Sequence, residues 1–246
     1  MKFTSDHRRI CMTAKVPLVL LPGTLCDSEL WSHQVTNLSD IADVQIGVIT
    51  KHSTIEEIAA DVLRKAPPQF ALAGLSLGGI VAIEMMRQAP DRILKLALVN
   101  TTANPPFEQQ QKQWAATMKD VEEGKFIEVV QEQFIPNLFY KDHPKKKALQ
   151  SKAMGMAVRV GEASYLNQLK AVASKPDGFE VLPTIACDTL FVVGREDALC
   201  TVEIHEKMHT IIPHSRLVIA EECGHLSPME QPELVTGAMR EWLTNV

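Results

Sequence analysis

The sequence predicts an α/β fold: a doubly wound, mostly parallel sheet with one inserted block of helices. Three observations carry this reading. Apolar runs of strand length, such as VPLVLL, FALAGL and TLFVVG, are nearly unbroken, as expected for strands buried on both faces. Segments with apolar residues at helical spacing separate them, so strand and helix alternate along the chain. Between residues 104 and 181 the alternation stops and helical patterns alone remain.

Taken in order, residues 1–15 are polar and mixed, and read as an edge strand or a loose arm. The apolar run 16–21 is a buried strand that ends in Pro22-Gly23-Thr24-Leu25-Cys26-Asp27, where a glycine lets backbone amides turn toward a ligand. Residues 31–38 suit a short helix and 44–49 the next strand. From Thr54, the spacing of Ile55, Ile58, Ala59, Val62 and Leu63 gives an amphipathic helix. Glu56 and Glu57 stand in its first turn, where the helix dipole favours anions, and Pro67-Pro68 stops it. Strand 70–75, the helix GGIVAIEMMRQA and strand 94–100 follow.

The inserted block reads as helices over 109–120, 121–134, 144–158 and 162–173. Trp114, Phe126, Phe134, Phe139, Tyr140, Met154, Met156 and Tyr165 lie in it; they are candidates for an apolar pocket or for packing the insertion onto the core. Strand 189–194, a helix at 202–212, strand 215–220 and a closing helix at 232–243 complete the alternation. The expected organisation is therefore a core of residues 1–103 and 182–246, with residues 104–181 lying over the strand ends as a helical lid.

At 246 residues the chain can bury one large α/β core. A net charge of −5 without a basic block excludes a nucleic-acid footprint and an anionic membrane surface, and Lys145-Lys146-Lys147 reads as a solvated helix face. Five cysteines, Cys11, Cys26, Cys187, Cys200 and Cys223, are odd in number and free of C-x-x-C spacing. A disulfide framework and a metal site are not expected, and a reducing cytoplasm is the default location. The run VPLVLLPG follows several basic residues, yet it is too short and lacks the small-residue site of a signal peptide. No stretch is long and apolar enough to span a bilayer, so neither membrane nor nucleic acid is an expected partner. The expected partner is a small-molecule substrate.

Gly74-Leu75-Ser76-Leu77-Gly78 lies between a strand and a helix and has the form G-x-S-x-G. In so tight a turn the two glycines remove the Cβ atoms that would collide, and the serine is lifted to the mouth of the sheet at the positive end of a helix. A serine there can also simply cap the helix. A nucleophilic reading needs a base beside Ser76 and a group to orient that base. Asp197 and His225 each fall in a loop directly after a strand, on the same sheet edge as Ser76. Of eight histidines, His225 alone follows a strand with a glycine before it.

The chain resembles the α/β-hydrolase superfamily. The resemblance runs from about residue 16 to 243 and rests on P-G-T-L-C-D-x-x-L-W at 22–31, G-L-S-L-G-G at 74–79, G-x-x-D at 194–197 and G-H-x-x-x-x-E-x-P at 224–232. It implies Ser76, Asp197 and His225 as a catalytic triad, with the backbone amides of Thr24 and Leu77 as the oxyanion hole. The chain departs from many relatives at Pro22, where they carry a histidine, and at Thr201, where they carry a proline. Glu196 is the alternative acid; the G-x-x-D spacing favours Asp197. The implied activity is hydrolysis of a carboxylic ester, thioester or lactone of a small, apolar substrate through an acyl-serine, with no cofactor. The same triad also serves carbon–carbon bond hydrolysis, perhydrolysis or a lyase step in this superfamily, and a small-molecule binding protein without catalysis is the reading from another class.

Overall fold

A computed structural model of the chain describes residues 15–245. The arm expected at the N-terminus, Cys11 included, lies outside the described residues except for Lys15. Among the described residues six strands form one sheet: β1 (Val16–Leu21), β2 (Ala42–Ile46), β3 (Phe70–Leu75), β4 (Ile93–Val99), β5 (Asp188–Gly194) and β6 (Arg216–Ala220). Their order is β2-β1-β3-β4-β5-β6, and every pair is parallel. The chain winds outward from β1 to β2, then returns past β1 to β3 and continues the other way. The winding therefore reverses between β1 and β3, the place where open α/β sheets bind ligands outside their carboxyl ends.

The alternation of strand side chains divides the core into two layers. Leu18 and Leu20, Ala71 and Ala73, Ala97 and Val99, and Leu190 and Val192 face one side. There they meet Trp31 and Leu38 beside α1 (Ser32–Asn37), and Val235, Met239 and Trp242 of the closing helix (Pro232–Thr244). Val19 and Leu21, Phe70 and Leu72, Leu96 and Leu98, and Phe191 face the other. They meet α2 (Ile55–Lys65), α3 (Leu77–Gln88) and α8 (Val202–Ile211) through Ile58, Val62, Val81, Met85 and Met208. Burial of each valine, leucine, isoleucine, phenylalanine or methionine among them contributes about 2 kcal/mol.

Two expected boundaries move for physical reasons. The strand expected at 44–49 lies at Ala42–Ile46, since its register with β1 runs from Val16↔Ala42 to Leu20↔Ile46. It then stops at Gly47, whose amide still donates to the Leu20 carbonyl at 2.9 Å. A side chain at Gly47 would overlap Leu21. Asp188, expected just before its strand, is the first residue of β5 and lies at the end of the sheet away from Ser76.

Between β4 and β5 the chain is helical. It contains α4 (Glu108–Asp120), α5 (Phe126–Val129), α6 (Lys146–Val160) and α7 (Glu162–Ala173). The single helix expected at 121–134 is broken instead. Gly124 adopts φ 86°, and wide π-type turns flank α5 on both sides. No helix among the described residues is long and apolar enough to cross a membrane.

Candidate active site

Ser76 sits between β3 and α3 with φ 54° and ψ −115°, a backbone region that a non-glycine residue enters only when its surroundings force it. The surroundings do so from both sides. Its amide donates to the Val99 carbonyl at 3.0 Å, and its own carbonyl accepts from the amides of Gly79 (2.9 Å) and Ile80 (3.0 Å) and from Thr101 Oγ1 (2.7 Å). A Cβ at Gly74 would overlap the backbone of Gly78, and one at Gly78 would lie 2.5 Å from the Leu21 carbonyl oxygen. The Ser76 side chain makes no capping hydrogen bond to α3. The helix-cap reading therefore does not describe it.

Asp197 and His225 come together at the ends of β5 and β6, with His225 Nδ1 2.8 Å from Asp197 Oδ2. The carboxylate is fully used. Oδ1 accepts from the amides of Leu199 (2.9 Å) and Cys200 (3.0 Å), while Oδ2 also accepts from Asn100 Nδ2 at 2.8 Å. Burial works to raise the Asp197 pKa, but the charge and hydrogen bond of His225, with the bonds from Asn100 and Cys200, outweigh it and hold the carboxyl below its ordinary range. Glu196 is engaged elsewhere, its Oε2 accepting the Cys223 amide at 2.7 Å.

Several residues of this region were not singled out from sequence. Asn100 is fully buried at φ 44°; besides Asp197 it donates to the Gly224 carbonyl (3.2 Å) and accepts from Ser227 Oγ (2.5 Å). An asparagine closing an apolar strand was the available signal, because asparagine tolerates positive φ. His205 is buried edge-on to Phe191. It accepts the Thr101 amide on Nε2 (3.2 Å) and donates from Nδ1 to the Thr201 carbonyl (3.0 Å), so its neutral form is the one bonded. Burial lowers its pKa to about 4. Glu230, the acid of G-H-x-x-x-x-E, accepts the amides of Gly224 (3.0 Å) and Tyr140 (2.8 Å) and so fixes the loop that carries His225. The insertion grips the same loop through Leu138, whose carbonyl accepts the His225 amide at 2.9 Å.

Thr24 and Leu77 border a cavity of about 260 Å³ at the carboxyl ends of the strands, together with Ser76 and His225. The loop after β1 carries proline at position 22, and other groups brace it. The Leu25 amide, at φ 55°, donates to Gln168 Oε1 of α7 at 3.0 Å. Arg159 of α6 reaches Asp27 at 2.6 Å and Glu29 at 2.7 Å. Of the candidates for an apolar pocket, Trp114, Phe134 and Tyr165 line the cavity; Phe126, Phe139 and Met156 are buried in the core instead.

Asp197, Cys200 and His225 have potential ligand atoms within 4.8 Å of one another. Burial pushes the Cys200 thiol well above its ordinary pKa, and four donors already occupy the carboxylate. The donor set is therefore that of a hydrogen-bonded cluster and does not fit a metal ion, which requires thiolate and open carboxylate oxygens.

A serine elbow at the switch point of a parallel sheet, sharing a cavity with a buried histidine–carboxylate pair, defines an α/β enzyme organised around a serine turn. Residues 18–238 match the family described as "Alpha/beta hydrolase family", and the chain belongs to the alpha/beta hydrolase family. A pimeloyl-(acyl-carrier protein) methyl ester esterase of Aliivibrio salmonicida is 25% identical over 224 residues, covering 85% of this chain and 84% of the relative. The solved structure of a thermophilic esterase from Thermogutta terrifontis, malate bound, superposes with a TM-score of 0.82 at 31% identity, covering 93% of this chain and 89% of that one. The enol-lactonase of Burkholderia xenovorans LB400 shares the fold, with a TM-score of 0.85 at 21% identity over 95% and 93% of the two chains. The chain is an ester-hydrolysing enzyme of this fold.

Proposed function

We propose that Ser76, His225 and Asp197 act as a catalytic triad that cleaves a carboxylic ester, or a related thioester or lactone, of a small substrate with a largely apolar acyl part. One observation carries the reading: the buried carboxylate of Asp197 holds His225 Nδ1 at 2.8 Å, and the imidazole borders the same cavity as Ser76. With Nδ1 donating to Asp197, Nε2 is the free base. It takes the Ser76 proton as Oγ attacks the ester carbonyl, and the resulting imidazolium is stabilised by Asp197. The tetrahedral oxyanion forms beside the amides of Thr24 and Leu77, each worth about 3 kcal/mol to the transition state. Collapse returns the proton to the leaving alcohol and leaves an acyl-serine. Water, deprotonated by His225, then releases the acid and restores Ser76. Ser76 Oγ makes no hydrogen bond among the described residues, and serine–histidine contacts of this kind tighten when substrate binds.

Residues 104–181 serve in this reading as the lid, supplying Trp114, Phe134, Tyr165 and Leu169 to the wall around the acyl group. The test is a panel of p-nitrophenyl and methyl esters of rising acyl length, with lactones and thioesters alongside, on wild type and Ser76→Ala. Turnover by wild type, lost in Ser76→Ala, with a single organophosphonate adduct on Ser76, is the expected result. Undiminished turnover by Ser76→Ala, or labelling of a cysteine, would sink the reading.

A further inference from the structure

One group in the catalytic cavity has no part in the ester chemistry. Lys175 lines the cavity with Ser76, Cys200 and His225, and only 6% of its surface is exposed. Among the described residues its ammonium makes no hydrogen bond and no ion pair. Lysine is almost never buried in that state, because desolvation of an unpaired ammonium is expensive.

The ammonium is not sealed inside the protein. The fully enclosed polar side-chain atoms without partners are Gln34 Oε1 and Gln168 Nε2; Lys175 Nζ is not among them. Lys175 lines two hollows, and the large one is the cavity of Ser76. A second pocket touching this residue holds about 10 Å³, room for no more than a water, and Glu84 beside it is already engaged by Arg87 (3.2 Å) and Gln88 (3.0 Å). The Cys200 sulfur, which bears on Lys175 from the large cavity, stays a neutral thiol, since burial raises its pKa. Among the described residues no aspartate or glutamate lines that cavity, and Lys175 is its one lysine or arginine.

The backbone that carries Lys175 is fixed. Pro176 follows it, Arg87 Nη2 donates to the Asp177 carbonyl at 3.0 Å, and the Gly178 amide donates to Ala103 at 2.9 Å. The lysine is thus a lone cation on a rigid mount in the wall of a cavity whose described lining holds no counter-charge.

We propose that Lys175 is an anion subsite of the substrate pocket, and that the ester this enzyme hydrolyses carries a second, free carboxylate which pairs with it. The proposal rests on the reading of Ser76 as nucleophile and deepens it, replacing a wholly apolar substrate with one that is apolar along its length and anionic at one end. The carboxylate supplies the charge-assisted hydrogen bond that Lys175 lacks. Burial, which lowers the Lys175 pKa in the free enzyme, then works for binding, since the pair forms in a poorly solvated site.

The test compares charged esters with neutral isosteres on wild type and Lys175→Met. Monomethyl glutarate against methyl valerate places the charge on the acyl part; acetoxyacetate against ethyl acetate places it on the alcohol part. Wild type is expected to prefer the charged member of at least one pair. In Lys175→Met the ratio of kcat/KM, charged over neutral, should fall by about 10- to 150-fold, the range of one hydrogen bond to a charged group, and the change should appear in KM. Glutarate binding to Ser76→Ala, measured by calorimetry, gives a readout free of turnover and should be lost in Ser76→Ala/Lys175→Met. Preference of wild type for both neutral esters, an unaltered ratio in Lys175→Met, or glutarate binding that survives the double change would each overturn the proposal. Failure of wild type to hydrolyse any ester would instead overturn the esterase reading, and glutarate binding would still decide this one.

Discussion

Asp197→Asn separates orientation from charge, and the structure dictates how the new amide must sit. The Leu199 and Cys200 amides both donate to Oδ1, so the asparagine keeps its carbonyl oxygen there. Its amino group then takes the place of Oδ2, facing His225 Nδ1 and Asn100 Nδ2. Against His225 it must donate, which moves the ring proton to Nε2. A protonated Nε2 cannot accept the serine proton, and kcat is expected to fall by about 10⁴-fold, or about 5 kcal/mol. Against Asn100 two donors meet, and one buried hydrogen bond is lost at about 1 to 3 kcal/mol of stability. Steady-state hydrolysis of a p-nitrophenyl ester reads the first effect and urea unfolding the second. Glu196→Gln is the control: a glutamine carbonyl still accepts the Cys223 amide, so activity should stay within about threefold. If Asp197→Asn keeps a tenth of the wild-type kcat, or Glu196→Gln is the more damaging change, the orientation argument is wrong.

Other outcomes follow from the buried groups around the site. His205, with a folded pKa near 4 against 6.5, binds its proton more readily in the unfolded chain. Its contribution is complete above pH 6.5 and disappears as pH falls toward 4, about 3 kcal/mol in all. Urea midpoints of wild type and His205→Gln should converge over that window; parallel curves would disprove it. Asp197, held below 3.8, acts under this window, and Glu230, raised by burial, has the opposite sign, so the difference between the two proteins is the quantity to read. Burial raises the Cys26 thiol to about 12 and pushes those of Cys200 and Cys223 up as well, so among the four described cysteines iodoacetamide at neutral pH should reach half-buried Cys187 first; more rapid alkylation of Cys26 would contradict this. Glu230→Gln leaves either the Gly224 or the Tyr140 amide facing an amino group, a loss of about 1 to 3 kcal/mol in urea unfolding, and a change under about 0.5 kcal/mol would show that the tie carries no weight.

The sheet was legible in sequence because its strands are buried on both faces and read as unbroken apolar runs. Ser76, Asp197 and His225 were legible because each follows such a run at a glycine-marked turn. The partners that hold them were not. Asn100 and His205 bond to partners 97 and 104 positions away, Lys175 shares its cavity with Ser76 of a distant element, and no local period encodes a contact of that range. The break at Gly124 escaped for a different reason. Its flanks keep helical spacing, so periodicity continued across a residue whose backbone does not.

Four non-glycine residues adopt positive φ among the described residues: Leu25, Ser76, Asn100 and Glu222. All four follow the carboxyl ends of strands, β1, β3, β4 and β6 in turn, and conformations of this kind cost of order 1 kcal/mol or more apiece. Such strain persists only where other contacts over-determine it. Ser76 is held by Val99 and Thr101, and Asn100 by Val192, Asp197 and Ser227, all from the core. Leu25 is different, because its amide is held by Gln168 of the insertion, and the His225 loop likewise depends on the Leu138 carbonyl. A chain shortened by residues 104–181 would therefore retain Ser76, Asp197 and His225 and yet lose the bonds that set two of the loops around them. The helical insertion is part of what shapes the site.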